Sequence, residues 1–330
     1  MRVRGGWIAQ SDDRSLGSRI PDIPPMSDTL QTTRPRERIG PREKIGLVAA
    51  WGRYPLVVAR ELRRQGYAVY CLGIKDHADP ALREVCDDYF ESNVARLGTH
   101  IAYFRKRGVR RAVMAGKLHK TILFRRFYWI RNLPDWRCVR TFYPHFITRT
   151  KNRNDDAMLT AVVEAYAEDG IEFAPATDYV PELLVPYGNL SRRRPTRAQR
   201  QDVAFAWRLA KEIGRLDVGQ CVAVHGRAVL AVEAVEGTDE CIRRAGRLCP
   251  QGGFTVVKVA KPQQDMRFDV PTIGIGTLEA LVEAGGSVLA VEAGKTIIID
   301  AEEVTRFADR HGLVLVAVEE GRLGELSEAA

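Results

Sequence analysis

From Lys44 onward the spacing of apolar residues switches repeatedly between two periods. In "EKIGLVAAWGRYPLVVARELRRQGYAVYCLGI" (Glu43 to Ile74) a short apolar run stops at Gly52, and Leu56, Ala59 and Leu62 then recur at helical spacing before "YAVYCLGI" returns to a strand-like run. This reads as strand, helix, strand, with parallel strands covered on both faces. A helix over about Val94 to Arg107, the strand "GVRRAVMAGK" and the helix and short strand of "RNDDAMLTAVVEAYAEDGIEFAPA" extend the alternation. The expected result is an open parallel sheet with ligands at the carboxyl ends of its strands.

The second half has a different pattern. The helix "RAQRQDVAFAWRLAKEIGRLD" is followed by "GQCVAVHGRAVLAVEAVEG", two alternating strands around His225-Gly226. "TDECIRRAGRL" is helical, "FTVVKVAK" is a strand and "TLEALVEAG" a helix. "GSVLAVEAGKTIIID" reads as a second hairpin turning at Ala293-Gly294-Lys295, before a helix from Ala301 and a last strand "LVLVAV". The expected fold class is α/β throughout, with the second domain containing antiparallel hairpins. Residues 44–185 form the first domain, with a Pro-, Gly- and Arg-rich linker at 186–197 and a C-terminal catalytic α/β domain at 198–330. Residues 1–43 lack periodicity and read as a disordered extension, with Met26 a plausible alternative start.

At 330 residues, 45% hydrophobic and 28% charged, the chain has globular composition and length for two domains. No apolar run reaches the roughly 18 residues of a membrane span, and no secretory leader is visible, so a cytoplasmic or peripheral protein is expected. The six cysteines show no CxxC pair, which argues against a zinc site. Charge is unevenly placed. Residues 101–154 hold 15 Lys or Arg against one acid, Asp135, together with ten aromatics. Such a mixture suits a lipid headgroup at an interface, single-stranded nucleic acid, or simply a solvated face.

Chemistry concentrates in "DMRFDVPTIGIGT" (Asp265 to Thr277). Hard cations such as Mg²⁺ take carboxylate oxygens completed by water and substrate phosphates, and Asp265 and Asp269 lie an even number apart on an extended segment. The glycines that follow, and a helix start at Thr277, leave room for phosphate oxygens. Equally, an Asp before Val-Pro shapes a turn. Lys117, after Gly116 at the end of a strand, can reach a phosphate, and Thr238 sits at an expected N-cap. The loop after the first strand lacks GxGxxG, which counts against a nicotinamide dinucleotide site.

Six segments, "GLVAAWGRYPLVVAREL", "KNRNDDAMLTAVVEAYAEDGIEF", "AKEIGRLDVGQCVAV", "VLAVEAVEGTDE", "VAKPQQDMRFDVPTIGIGT" and "EAGKTIIID", resemble in order the blocks of LpxI-type UDP-2,3-diacylglucosamine pyrophosphatases. The resemblance implies a Rossmann-like N-terminal domain, a second α/β domain and a lipid substrate held between them. It implies Mg²⁺-dependent hydrolysis to UMP and 2,3-diacylglucosamine 1-phosphate in lipid A synthesis. The family's catalytic aspartate matches Asp269, and the residue pattern itself offers Asp265 as a second metal ligand beside it. Substrate contacts are expected from Gly52, Lys117, Asp156, Thr238, Asp239, Lys258, Arg267, Thr272, Gly274 and Gly276. The family's glycine-rich loop is "AAWG" here (Ala49 to Gly52), a departure that bears on ligand approach there. Expected partners are a lipid-linked UDP-sugar and the cytoplasmic face of the inner membrane, without nucleic acid, and with a homodimer left open. The rival reading is a non-enzymatic nucleotide or nucleic-acid binder.

Overall fold

The computed structural model describes residues 42–117, 133–146 and 155–323. The N-terminal extension and much of the basic aromatic run therefore lie outside the described residues.

The first half is a five-stranded sheet. Its strands are β1 (Lys44–Ala49), β2 (Ala68–Ile74), β3 (Asp88–Ser92), β4 (Arg111–Ala115) and β5 (Glu172–Phe173), in the order β3-β2-β1-β4-β5, all parallel. Strand alternation sorts its side chains onto two faces. Ile45, Leu47, Ala49, Val113 and Ala115 meet α1 (Tyr54–Arg64) and α2 (Leu82–Val85). Leu72, Ala112 and Met114 join a second cluster with α3 (Leu97–Arg107), α4 (Trp136–Phe146) and α5 (Asp155–Ala167). Gly46 is small for a reason. A Cβ there would sit 3.0 Å from the Phe104 ring. The strand β3 and helix α2 were not anticipated, because Asp88 and Glu91 hide the strand and a four-residue helix has no periodicity to read.

The second half opens with β6 (Gly188–Asn189), inside the expected linker, and α6 (Arg197–Arg215). It continues through β7 (Cys221–His225), β8 (Ala228–Val232), α7 (Thr238–Leu248), β9 (Thr255–Lys258), β10 (Thr272–Ile273) and α8 (Ile275–Glu283). Last come β11 (Val288–Glu292), β12 (Ile297–Ile298), α9 (Ala301–Arg310) and β13 (Val314–Val318). The larger sheet runs β6-β13-β11-β9-β7-β8 and is mixed. Helix α6 covers one face through Val203, Ala206, Trp207 and Ala210, while α7, α8 and α9 cover the other. A capping box starts α6, with Thr196 Oγ1 accepting from Gln199 N and Gln199 Oε1 accepting from Thr196 N.

The β7–β8 hairpin forms, turning through Gly226 and Arg227, both at positive φ, as a tight two-residue turn requires. Asp202 of α6 accepts from both turn amides, at 3.0 and 2.6 Å. The second expected hairpin does not form. Strand β11 lies between β9 and β13, parallel to both, whereas β12 pairs in parallel with β10 in a separate two-stranded sheet. The turn at Ala293 to Lys295 carries the chain from one sheet to another. Apolar alternation reports burial and leaves the pairing partner open. Among the described residues no helix is long and apolar enough to cross a membrane.

One buried histidine makes the fold sensitive to acid. His100, in the first turn of α3, is 4% exposed and donates from Nε2 to Asn93 O at 2.9 Å. Burial pushes its pKa down from 6.5 to about 4, against smaller opposing pulls from the Asn93 carbonyl and Asp135. The folded state thus binds this proton less readily than the unfolded state. Stability is complete above pH 6.5 and is lost as pH falls toward 4. Between pH 7 and pH 5 the wild type is expected to lose roughly 2 kcal/mol more than His100→Gln, read from urea midpoints. Equal losses would show that His100 does not drive the effect.

Candidate functional site

The loop that precedes β10 is built from the end of α6 outward. Lys261 pairs with Asp217 (Nζ to Oδ1, 2.6 Å), and Gln263 Nε2 donates to Gly214 O at 2.9 Å, fixing the turn after β9 on the C-terminal end of α6. Within that turn Lys261 N donates to Gln264 Oε1 at 2.8 Å, which sets the amide's orientation. Its Nε2 then donates to Asp269 Oδ2 at 2.7 Å. Among the described residues, no hydrogen bond is formed by Asp269 Oδ1. The carboxylate is half-buried, with one oxygen held and one left over.

The neighbours of Asp269 anchor it in both halves of the molecule. Phe268 packs on the cluster of α3, α4 and α5, and Val270 on the cluster under α1. Ile273 belongs to the core of the second half. Asp269 therefore sits where three apolar clusters converge. Strand β12 reinforces the junction, since Ile297 is buried in the α1 cluster and Ile298 in the second-half core.

Charge around the loop is arranged in pairs. Asp265 Oδ1 accepts from Arg267 N (3.0 Å) and Nε (2.9 Å), and Oδ2 accepts from Nε (3.0 Å) and Nη2 (2.5 Å). The guanidinium holds the Asp265 carboxyl below its usual range, and the carboxylate in turn raises the pKa of Arg267. Glu164 of α5 adds a weaker attraction on Arg267. Lys258, the last residue of β9, is 7% exposed and donates to Thr272 O at 2.9 Å. Its charge lies directly beneath the loop.

Two helix starts meet beside it. Gly274 is the N-cap of α8 and has no side-chain cap, and a Cβ added at Gly274 or Gly276 would meet nothing within 4 Å. Gly237, at φ +86°, is the N-cap of α7, so Thr238 is the first helical residue and not the cap expected from the sequence. The Thr238 hydroxyl donates to Glu233 Oε1 at 2.9 Å. Thr277 Oγ1 donates to Asp239 Oδ1 at 3.4 Å, tying the first turns of α7 and α8 together. The first turn of α8 carries no acid and favours an anion, whereas Asp239 and Glu240 offset the positive end of α7.

In the first half, Gly52 and Lys117 lie at the carboxyl ends of β1 and β4, where the strand order reverses. This is the crevice at which open α/β sheets hold ligands. Trp51 N donates to Lys117 O (3.1 Å) and Lys117 N to Trp51 O (2.9 Å), closing the rim. Gly116 is required there, at φ +98° with an added Cβ only 2.8 Å from the Ala50 carbonyl carbon. Arg53 pairs with Asp300 at 2.9 Å, linking this rim to the N-cap of α9. Asp156 is the second residue of α5, and its side chain lies outside the described residues.

Asp265, Asp269, Arg267, Lys258, Thr272, Gly274 and Gly276 thus gather around one loop, with Thr238 and Asp239 joined to it through Thr277. Gly52 and Lys117 form a separate rim tied to the junction by Arg53 and Asp300. Gln264 and Phe268 escaped sequence reasoning. The only available signal was the tight "KPQQD" spacing before the first acid. Among the described residues no group of three or more His, Cys, Asp or Glu side chains converges as a metal cage.

A family model described as the LpxI N-terminal domain matches residues 44–183, and one described as the LpxI C-terminal domain matches residues 186–316. A protein of Caulobacter vibrioides described as UDP-2,3-diacylglucosamine pyrophosphatase LpxI is 31% identical over 286 residues, covering 84% of this chain and 98% of that protein.

Proposed function

The chain belongs to the LpxI family, both of whose domains it matches, and from that premise we propose that it hydrolyses the diphosphate of UDP-2,3-diacylglucosamine. The products are UMP and 2,3-diacylglucosamine 1-phosphate, and the reaction serves lipid A synthesis. The observation that supports this reading is the half-buried Asp269, held through one oxygen by Gln264 on the loop that leads through β10 into the N-cap of α8.

Asp269 Oδ1 is the group that meets the reacting centre, where it orients the attacking water. The α8 amides beyond Gly274 receive diphosphate oxygens, and the absence of side chains at Gly274 and Gly276 lets the anion approach. Lys258 and Arg267 supply positive potential, the Thr272 hydroxyl donates to Val270 O at 3.0 Å, and the Asp265–Asp269 segment, expected to be extended, instead closes a turn in which Asp269 N donates to Asp265 O at 3.1 Å. Thr238 and Asp239 set the second helix start. Gly52, Lys117 and Asp156 act on the first-half side, the first two at the crevice rim. We divide the chain at 186–197 into a 44–185 domain and a 198–330 catalytic domain.

The donor set fits Mg²⁺ as an ion shared with the substrate, because such ions use one or two carboxylates completed by water and phosphates. Asp269 is the carboxylate that would hold it. Asp265, with both oxygens on Arg267, is a ligand only if that pair opens. Bound there, Mg²⁺ supplies Lewis-acid neutralisation of the diphosphate charge. A lipid-linked substrate places the protein in the cytoplasm, in contact with the inner membrane, as a monomer or homodimer.

Asp269→Asn is expected to lower UMP release from UDP-2,3-diacylglucosamine by about 10²–10⁴-fold with an unchanged thermal midpoint. Near-normal release would remove the assignment. Gln264→Leu leaves Asp269 present but unheld, and should lower kcat roughly tenfold with little change in KM. An equal loss in both parameters would instead point to damage in binding.

A further inference from the structure

Helix α4 presents an apolar face that nothing among the described residues covers. Trp136, Val139 and Tyr143 recur at helical spacing and are 80%, 40% and 49% exposed, and Leu133 just before the helix is 63% exposed. Exposed Arg140 lies on the same face. Large apolar side chains scattered singly are ordinary, but four within eleven residues form a patch.

The opposite side of the helix is firmly attached. Cys138 is buried, and Phe142 packs on the cluster that also receives Phe268. Arg137 Nη2 donates to Ala165 O (2.8 Å), Glu168 Oε2 (2.9 Å) and Asp169 Oδ2 (2.9 Å) of and beyond α5. Asp135 accepts from Cys138 N at 2.9 Å and from Thr99 N at 3.0 Å, so the single acid of residues 101–154 is spent on backbone amides. The face is therefore held in place, in a cationic stretch of sequence, with Arg140 at its edge beside Glu164 and Glu168.

We propose that this face of α4 docks on a bilayer containing anionic lipids. Trp and Tyr favour the headgroup boundary, Val139 and Leu133 enter the apolar layer, and Arg140 pairs with anionic headgroups. Val139 and Leu133 offer no ring for base stacking, which favours a bilayer over single-stranded nucleic acid. The idea rests on the proposed lipid substrate for its purpose. Through the shared cluster, the helix that would touch the membrane packs against the same core as Phe268, the neighbour of Asp269.

The test uses the full chain with vesicles of phosphatidylglycerol and phosphatidylcholine, or of phosphatidylcholine alone, in a sedimentation assay at fixed ionic strength. The wild type should pellet with the anionic vesicles. The triple variant Trp136→Ser, Val139→Ser, Tyr143→Ser, with every charge kept, should bind about tenfold more weakly. Its thermal midpoint, and its UMP release from detergent-dispersed UDP-2,3-diacylglucosamine, should match the wild type. Equal vesicle binding by both proteins overturns the surface. So does a wild-type dimer that the triple variant converts to monomer, which would assign the face to a second copy. So does loss of oligonucleotide binding with vesicle binding intact. Vesicle binding as expected, without UMP release by the wild type, would leave the surface standing and remove the function.

Discussion

The structure depends on the anchoring of one loop in three apolar clusters. Phe268 and Val270 enter the two sides of the first-half sheet, and Ile273 enters the core of the second half. A half-buried carboxylate between such anchors has little freedom to swing. Burial of the flanking apolar side chains, each worth about 1.5–3 kcal/mol when complete, holds the loop across the junction. Strand β12 repeats the device with Ile297 and Ile298, and its pairing with β10 joins both segments.

Electrostatics then give that position its chemical character. Gln264 fixes one Asp269 oxygen, Lys258 sits under the loop, and the starts of α7 and α8 are drawn together by Thr277 and Asp239. The Asp265–Arg267 pair is more local. A bidentate pair between residues two apart stiffens the bend. Arg53 and Asp300 extend the network to the crevice at the ends of β1 and β4.

Much of this was legible in the sequence, but not evenly. The β1-α1-β2 unit is readable because its periods switch cleanly and Gly52 breaks them, whereas the acid before Val-Pro and two glycines reads equally as a turn, and only the family resemblance singles out Asp269. Asp88 and Glu91 concealed β3. Residues 288–298 looked like a hairpin because both runs are apolar, and only tertiary packing tells a reversal from a crossing between sheets. Thr238 looked like a cap by residue type, whereas the positive φ needed just before α7 selects Gly237. Gln264 was invisible as a role, since an amide acquires one only from what it faces.

The most direct test of the anchoring is kcat in Phe268→Ala beside Val257→Ala, whose side chain lies in the α6-covered core away from the loop. Both should lose stability. At a temperature where both remain folded, kcat for UMP release should fall at least about tenfold in Phe268→Ala, because a small misplacement of a reacting group is costly, and stay near wild type in Val257→Ala. A wild-type kcat in Phe268→Ala would contradict the idea that this anchor places Asp269.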